Sequence, residues 1–491
     1  MPAVLAAIAR FRGDMVRVAT FGPIATVQFR MSLSWLNSVD LARLTRGIWI
    51  DPPAPDWRPR ALCFEKDWVP GSLVIPKGQP FRHGIDVAQI DPAELATCVL
   101  LVTEHVQASS ARQLVVPSID EAVAALAGAA RDRYAGTICA VTGSVGKSST
   151  CHLLSHALEQ WGTGNRLRPG ANTAAGAVAQ IVNLDAEHYA VIEMSVGEGL
   201  RHASSVVRPH LAVLTAISPA HLTYAGPLPR LAQLKASIFT GLSRDGVAIL
   251  NRDIPFYDDV QAVARSHTDT LVTYGDHDDA DVRLLGFDSK KRRVDADVLG
   301  DRVRYRLGTD GRHMAVNSLA VLAALKMMGL DYRKGAARMA ETRPLVQRGV
   351  SYAASVSGKR VTLIDDSHNA NPASMMAAFQ LIGSQPVKRK GRRVLVLADM
   401  LELGSEETAY HVQLAVPIAR AGIDRVHVMG ELMAKLWDAL PAPLRGQRCE
   451  TTDELREVIQ DDVENGDVIL FKGSHSNRLW DVVKTLRGLG T

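Results

Sequence analysis

Thr142-Gly143-Ser144-Val145-Gly146-Lys147-Ser148-Ser149-Thr150 decides how the rest of the chain is read. It follows a short β-rich run, Thr137–Thr142, and leads into a helix. Glycines in such a loop let backbone N–H groups turn inward around phosphate oxygens, and the helix N-terminus adds positive potential. Lys147 then reaches the terminal phosphates of a nucleoside triphosphate, and the Ser148 hydroxyl can ligate Mg²⁺. Gly143, Ser144, Val145, Gly146 and Ser149 complete the cradle. The strict pattern has Gly or Ala at position 141, where this chain has Val141, so the loop fits the variant T-G-x-x-G-K-[ST]-[ST]. The competing reading is a Gly-rich turn with a chance lysine, and the strand–loop–helix setting weighs against it.

Outward from the loop, short β-rich runs alternate with helical stretches. Tyr189–Met194, Leu211–Ile217 and Val247–Leu250 follow Thr137–Thr142, and a helix is predicted over 315–328. This alternation is the signature of a mainly parallel sheet with helices on both faces. A second set, Val361–Ile364, Val394–Leu397, Arg425–Met429 and Val468–Phe471, predicts a smaller Rossmann-like domain. Between the two lies a stretch near 331–347, where basic residues cluster and Pro344 interrupts. Upstream, residues 31–115 carry short apolar runs, Ser72–Ile75 and Cys98–Val102, punctuated by Gly and Pro. Ile119–Arg133 has helical spacing, with Ala122, Leu126, Ala129 and Ala130 on one face. The expectation is an α/β chain of three domains: a mixed α/β domain over 31–115, a central ATPase over 116–340 and a Rossmann-like domain over 341–491. The length of 491 residues allows about that number.

Residues 1–30 hold Arg10, Arg12, Arg17 and Arg30 against Asp14 alone. An Arg-rich, acid-poor start is a transit-peptide pattern. The alternative, preferred here, is an extension ahead of a start at Met31. Hydrophobic content of 47% and charged content of 22% are ordinary for a globular protein. A net charge of +4, with no basic run interleaved with aromatics, argues against a nucleic-acid partner. No apolar stretch reaches membrane-span length, so no membrane partner is expected. Cys63, Cys98, Cys139, Cys151 and Cys449 form no C-x-x-C pair and read as reduced cytoplasmic thiols.

In open sheets of this kind ligands gather at the carboxyl ends of the strands. Glu193 ends the second strand, and a carboxylate beside a phosphate loop suits a metal ion. His221 follows the third strand in Ser218-Pro219-Ala220-His221-Leu222, and Lys235 stands fourteen residues later. Alone, each is as readily structural; in this order they answer the repulsion between a triphosphate and an attacking carboxylate. Asn317, in Gly311-Arg312-His313-Met314-Ala315-Val316-Asn317 at the start of the predicted helix, pairs with an adenine edge or caps the helix. Arg348 can bridge phosphates. In Asp366-Ser367-His368-Asn369-Ala370-Asn371-Pro372 an acid at a strand end, with Asn-rich turn chemistry, suits a ribose or amine partner. Asp399-Met400-Leu401-Glu402-Leu403-Gly404, His411 on the next helix, and Lys472-Gly473-Ser474 add two more polar clusters at strand ends.

Taken in order from about Met31 to the C-terminus, these residues resemble the Mur ligases, cytoplasmic enzymes that build the peptide of bacterial cell-wall precursors. The Asp366–Pro372, Asp399–Gly404 and Lys472–Ser474 motifs look most like the D-alanyl-D-alanine-adding branch. The resemblance implies that ATP phosphorylates a substrate carboxylate and that an amino group attacks the acyl phosphate. By position Lys147 would bind the β- and γ-phosphates, Ser148 and Glu193 would hold Mg²⁺, and His221 would serve a second metal site. Lys235 matches a lysine that many members carbamylate; Asn317 would touch adenine, Arg348 the phosphates and Asp366 the ribose. Asn172, Thr173, Ser195, His368, Asn369, Asn371 and Lys472 stand as the substrate-facing residues.

The departures lie mainly on the acceptor side. An Asp-Ser-Arg-like triplet that precedes Pro-Gly in the family is absent from Leu62-Cys63-Phe64-Glu65-Lys66-Asp67-Trp68-Val69-Pro70-Gly71, though Arg82 and His83 stand close by in sequence. Gly170-Ala171-Asn172-Thr173-Ala174-Ala175-Gly176 replaces an Asn-Asn loop, Ser195 stands where Gly is usual, and His368 where Tyr is usual. Small-molecule carboxylate and amine substrates are therefore expected, with the oligomeric state left open. The rival readings are a Mur-like ligase acting on a carboxylate without UDP, and a nucleotide-binding regulatory protein without ligase chemistry.

Overall fold

The computed structural model describes residues 33–64, 68–81, 84–105, 109–165, 167, 170–197, 199–387 and 390–488. The extension 1–30, Glu65–Asp67, and Arg82 with His83 lie outside them.

Three sheets follow one another along the chain. The first has five strands in the order Ile48–Ile50, Arg112–Val115, Val99–Val102, Leu73–Val74, Leu62–Cys63. Only the Ile48–Ile50 edge runs antiparallel. The predicted runs at 72–75 and 98–102 are both here, shortened. Helix Ile119–Arg133 leads into the second sheet. Ser118 starts it by accepting from the Glu121 N–H, and Arg131 and Arg133 end it, where cations favour the helix dipole. Its buried face is Ile119, Ala122, Val123, Leu126, Ala127 and Ala130; Ala129 is only half-buried.

The second sheet has eight strands. Six are parallel, in the order Tyr189–Glu193, Thr137–Thr142, Leu211–Leu214, Val247–Asn251, Thr270–Gly275, Val282–Asp288. The antiparallel pair Arg293–Val298 and Asp301–Arg306 extends it. The phosphate-loop strand is flanked on both sides and buried along its whole length. Helix Arg312–Met327 packs on this sheet, buried nearly all round, as its continuous apolar composition requires. Leu319, Leu322 and Leu325 are fully buried, each worth roughly 1.5–3 kcal/mol of hydrophobic transfer.

The third sheet has six strands in the order Val350–Val356, Lys359–Asp365, Val468–Lys472, Arg393–Ala398, Arg425–Met429, Arg445–Cys449. All pairs are parallel except the first hairpin. Four of the six are the predicted ones.

The apolar core beneath the first sheet is continuous with the core of the second: Leu36, Leu73, Leu126, Ile192 and Leu250 belong to one cluster. The third sheet is covered by two clusters of its own. All five cysteines are buried, and none is in a disulfide. Among the described residues no helix is long and apolar enough to cross a membrane.

Candidate active site

The phosphate loop is held from below by the neighbouring strand. Ser144 donates its N–H to the Ala216 carbonyl and its hydroxyl to the Ser218 carbonyl, each at 2.8 Å, and the Thr215 hydroxyl donates to the Val145 carbonyl at 2.6 Å. Two glycines are required. A Cβ on Gly143 would lie 2.0 Å from Thr215 Oγ1, and one on Gly146, at φ +84°, 2.7 Å from Asn317 Oδ1. Helix Lys147–Leu158 then begins with no side-chain cap, so its first amides have no acceptor from a capping side chain. Uncapped amides behind a pinned glycine loop fit a phosphate chain.

Around the loop the strand-end groups converge. Glu193 accepts from the Ser148 hydroxyl at 2.6 Å through Oε2 and from Asn172 Nδ2 at 2.7 Å through Oε1. Arg348 donates to Ser148 Oγ at 3.1 Å. Lys147 Nζ donates to the Gly143 carbonyl at 2.8 Å. Burial lowers the pKa of Lys147; Glu193 opposes that shift and Arg348 adds to it. Lys235, on helix Leu228–Ala236, is 1% exposed. Its pKa is held well below the usual lysine value, first by burial and then by Lys147.

Among the described residues no group of three or more His, Cys, Asp or Glu forms a metal cage. A hydroxyl paired with one carboxylate nevertheless suits Mg²⁺, which keeps several waters and takes one or two protein oxygens plus phosphates. Ser148 and Glu193 provide that pair. His221 lines the same cavity, but its Nδ1 is engaged by Glu402 at 2.5 Å.

On the C-terminal side, the Asp366 carboxylate accepts from Lys472 Nζ at 2.7 Å, and Lys472 also donates to the Asn369 carbonyl at 3.0 Å. Lys472, expected to face substrate, is 2% exposed and directs its donors into its own loop. Asn371 is likewise used locally. It starts helix Pro372–Ser384 in a reciprocal capping arrangement with Ser374, and Pro372 takes the first helical position, where a missing N–H costs no helical bond. Asn369 is exposed, with its side-chain oxygen on the Ala370 N–H. Thr173 caps helix Ala174–Val182, and the Ser195 N–H donates to the Asn172 carbonyl. For Asn317 the cap alternative fails: the helix starts at Gly311, and Asn317 sits inside it against Gly146. Burial, then Arg348 and His475, pushes the His368 pKa down to about 4.

Of the residues expected at the site from sequence, all except Gly143 and Lys235 line one cavity of about 810 Å³, with Leu234 reaching it beside Lys235. Ser144 to Ser149, Asn172, Thr173, Glu193, Ser195, His221 and Asn317 come from the middle part of the chain. Arg348, Asp366, His368, Asn369, Asn371 and Lys472 come from the C-terminal part. His313, Asp310, Tyr224 and Glu402 also line it and were not singled out individually. His313 and Glu402 stood in quoted motifs; Tyr224 had no sequence signal. Two motif residues are structural instead. Asp399 accepts from the Met433 N–H at 2.7 Å, capping helix Glu431–Ala439, and His411 accepts from the Met400 N–H at 2.9 Å.

Comparison with known proteins follows the same layout. The Mur ligase middle domain matches residues 141–325, and the Mur ligase, glutamate ligase domain, matches residues 353–475. The UDP-N-acetylmuramoyl-tripeptide–D-alanyl-D-alanine ligase of Escherichia coli (strain K12) is 30% identical over 393 residues, covering 77% of this chain and 83% of its own length. The ligase of the same name from Rickettsia prowazekii is 26% identical over 426 residues, covering 85% and 93%. Among solved structures, MurF from Acinetobacter baumannii superposes with a TM-score of 0.78 at 22% identity, over 92% of this chain and 98% of that one. MurF of Thermotoga maritima, solved in complex with ADP, gives 0.72 at 20% identity, over 87% and 97%. At these identities the two solved structures bear on the fold alone.

Proposed function

The chain belongs to the Mur ligase family, ATP-dependent ligases that form C–N bonds and release ADP, and within it we propose a MurF-like enzyme that joins an amino acid or dipeptide to a carboxylate through an acyl phosphate. One observation carries this reading: Lys147, Ser148 and Glu193 share a single cavity with Arg348 and Asp366, and Arg348 touches Ser148. ATP contacts divided between two parts of the chain suit a reaction that must exclude water from an acyl phosphate.

ATP, when bound, supplies the phosphoryl group that activates the carboxylate. Lys147 and the uncapped helix start would hold its phosphates, Arg348 would neutralise charge from the opposite side, and Asp366 would hold the ribose. Asn317 would take the adenine edge. Ser148 and Glu193 would hold Mg²⁺. Burial biases Lys235 toward the neutral amine, the form that adds CO₂ and releases a proton to become a carbamate. A carbamate beside Lys147 would be attracted where an ammonium is repelled. The regulatory-protein reading gives no use for this buried lysine pair.

The named relatives' substrate, UDP-muramoyl tripeptide with D-Ala-D-Ala, is the first pair to test, and with it come a cytoplasmic setting and a role in peptidoglycan synthesis. Sequence favours a second reading, a carboxylate without UDP, through Glu65 and Asp67 where the family has an Asp-Ser-Arg-like triplet. The test is ADP and phosphate release by the purified chain. Release that needs ATP, UDP-muramoyl tripeptide and D-Ala-D-Ala together supports the first reading. Release with another carboxylate–amine pair supports the second, and release indifferent to every pair overturns ligation.

A further inference from the structure

Two non-glycine residues with left-handed backbone meet where the middle and C-terminal parts touch. His221 has φ +57° and Glu402 φ +64°. Such conformations are uncommon outside glycine and persist where surroundings impose them. Here the two residues meet each other. The His221 ring nitrogen Nδ1 lies 2.5 Å from Glu402 Oε2, and the Thr223 N–H donates to the Glu402 carbonyl at 3.4 Å. Gly404, two residues on, packs against Leu222. His411 holds the same loop from behind through the Met400 N–H. The C-terminal part thus delivers a carboxylate, on a braced loop, to one nitrogen of a ring whose residue lines the nucleotide cavity.

A histidine's two nitrogens are not equivalent: the hydrogen bond at one fixes what the other can do. We propose that Glu402 is a positioning residue that accepts the Nδ1 proton of His221, fixes the neutral ring as the Nδ1–H tautomer, and so leaves Nε2 as the acceptor only while the C-terminal part is docked. His221 is then a reporter of docking as well as a member of the site. The role of Nε2 toward a nucleotide-bound divalent ion rests on the ligase reading above; the tautomer does not.

The test uses the full chain with ¹⁵N-labelled histidine, at a pH above the usual histidine range, with His221→Asn to assign the ring. Wild type is expected to show the Nδ1–H tautomer. Glu402→Gln keeps a carbonyl acceptor and should keep it, whereas Glu402→Ala should shift the ring toward Nε2–H. In parallel, Mn²⁺ affinity in the presence of ADP should fall about 10- to 100-fold in Glu402→Ala, the usual effect of losing a ligand's supporting acceptor, and stay within about threefold in Glu402→Gln. An unchanged tautomer in Glu402→Ala, or equal effects of Gln and Ala, overturns the proposal. A wild-type protein that binds no ADP overturns the nucleotide reading instead, and the ring shifts still decide the clasp.

Discussion

The phosphate loop and the N-terminal sheet make opposite use of their residues. In the loop Ser144 and the Val145 carbonyl are pinned to the neighbouring strand end, and two glycines are required by contacts a Cβ would destroy. In the N-terminal sheet the strands are two to four residues long, and the Glu65–Asp67 segment lies outside the described residues. Among the described residues, none before Ser144 lines the cavity. Phosphate is the same in every ligand, so its cradle tolerates few solutions; an acceptor varies, and the surface that meets it is free to vary with it. Reaction type is therefore written more sharply than substrate.

The comparison breaks most visibly if the loop proves dispensable. Lys147→Ala should lower turnover at least about a hundredfold, since its charge acts only where phosphate charge is present. Its melting temperature should not fall, because the lost ammonium is one that burial disfavours. A folded variant with near-normal turnover would end the phosphate-loop assignment. Next, Lys235→Ala should lose most activity, on the order of tenfold or more, and regain part of it with added formate or acetate standing in for a carbamate. Full activity without rescue removes the carbamate.

On the other side of the comparison, calorimetry should find UDP-muramoyl tripeptide bound roughly ten- to a hundredfold more weakly than by a ligase with the Ser-Arg pair, the usual effect of one lost charged hydrogen bond. Micromolar binding with efficient D-Ala-D-Ala ligation would restore the plain cell-wall reading. His368 sharpens the boundary between the two regions. Its folded pKa of about 4 lies below the ordinary 6.5, so the unfolded chain binds more protons in that window and stability falls as pH drops from 6.5 towards 4. Denaturant titrations at both ends should show a loss on the order of 2 kcal/mol that shrinks in His368→Tyr; an identical loss in the variant assigns it to other groups. The smallest effect is expected from deleting residues 1–30, whose sequence lacks a periodic apolar pattern. Turnover and melting temperature should be unchanged, and loss of folding would show that the first domain begins earlier.

Much of the architecture is legible without coordinates because strand ends and polar clusters coincide. Glu193, Asp366 and Lys472 each follow an apolar run, which marks them as strand-end groups; that they share one site was implied by the resemblance to the Mur ligases. The strands at 293–306 and 350–356 escaped because they alternate polar and apolar residues at a sheet edge, without the continuous apolar runs that marked the buried strands. Their turns, Leu299-Gly300 and Ser357-Gly358, were the available signal: both residues of each have positive φ, the mark of a two-residue hairpin turn. Helix caps were harder. Asn371, Asp399 and Thr173 look like site residues in sequence, since a side chain that caps a helix and one that meets a substrate have the same chemistry.

The first two sheets share one apolar core, while the third has its own. That makes the last third of the molecule a transplantable cassette. A surgeon cutting near Pro344 would sever no shared core of the first two sheets, but would have to match Arg348 to Ser148, Gln385 to Asp310 and Glu402 to His221 on the recipient. Lineages could thus trade this last third by recombination while inheriting the rest intact, provided those handshakes travelled with it.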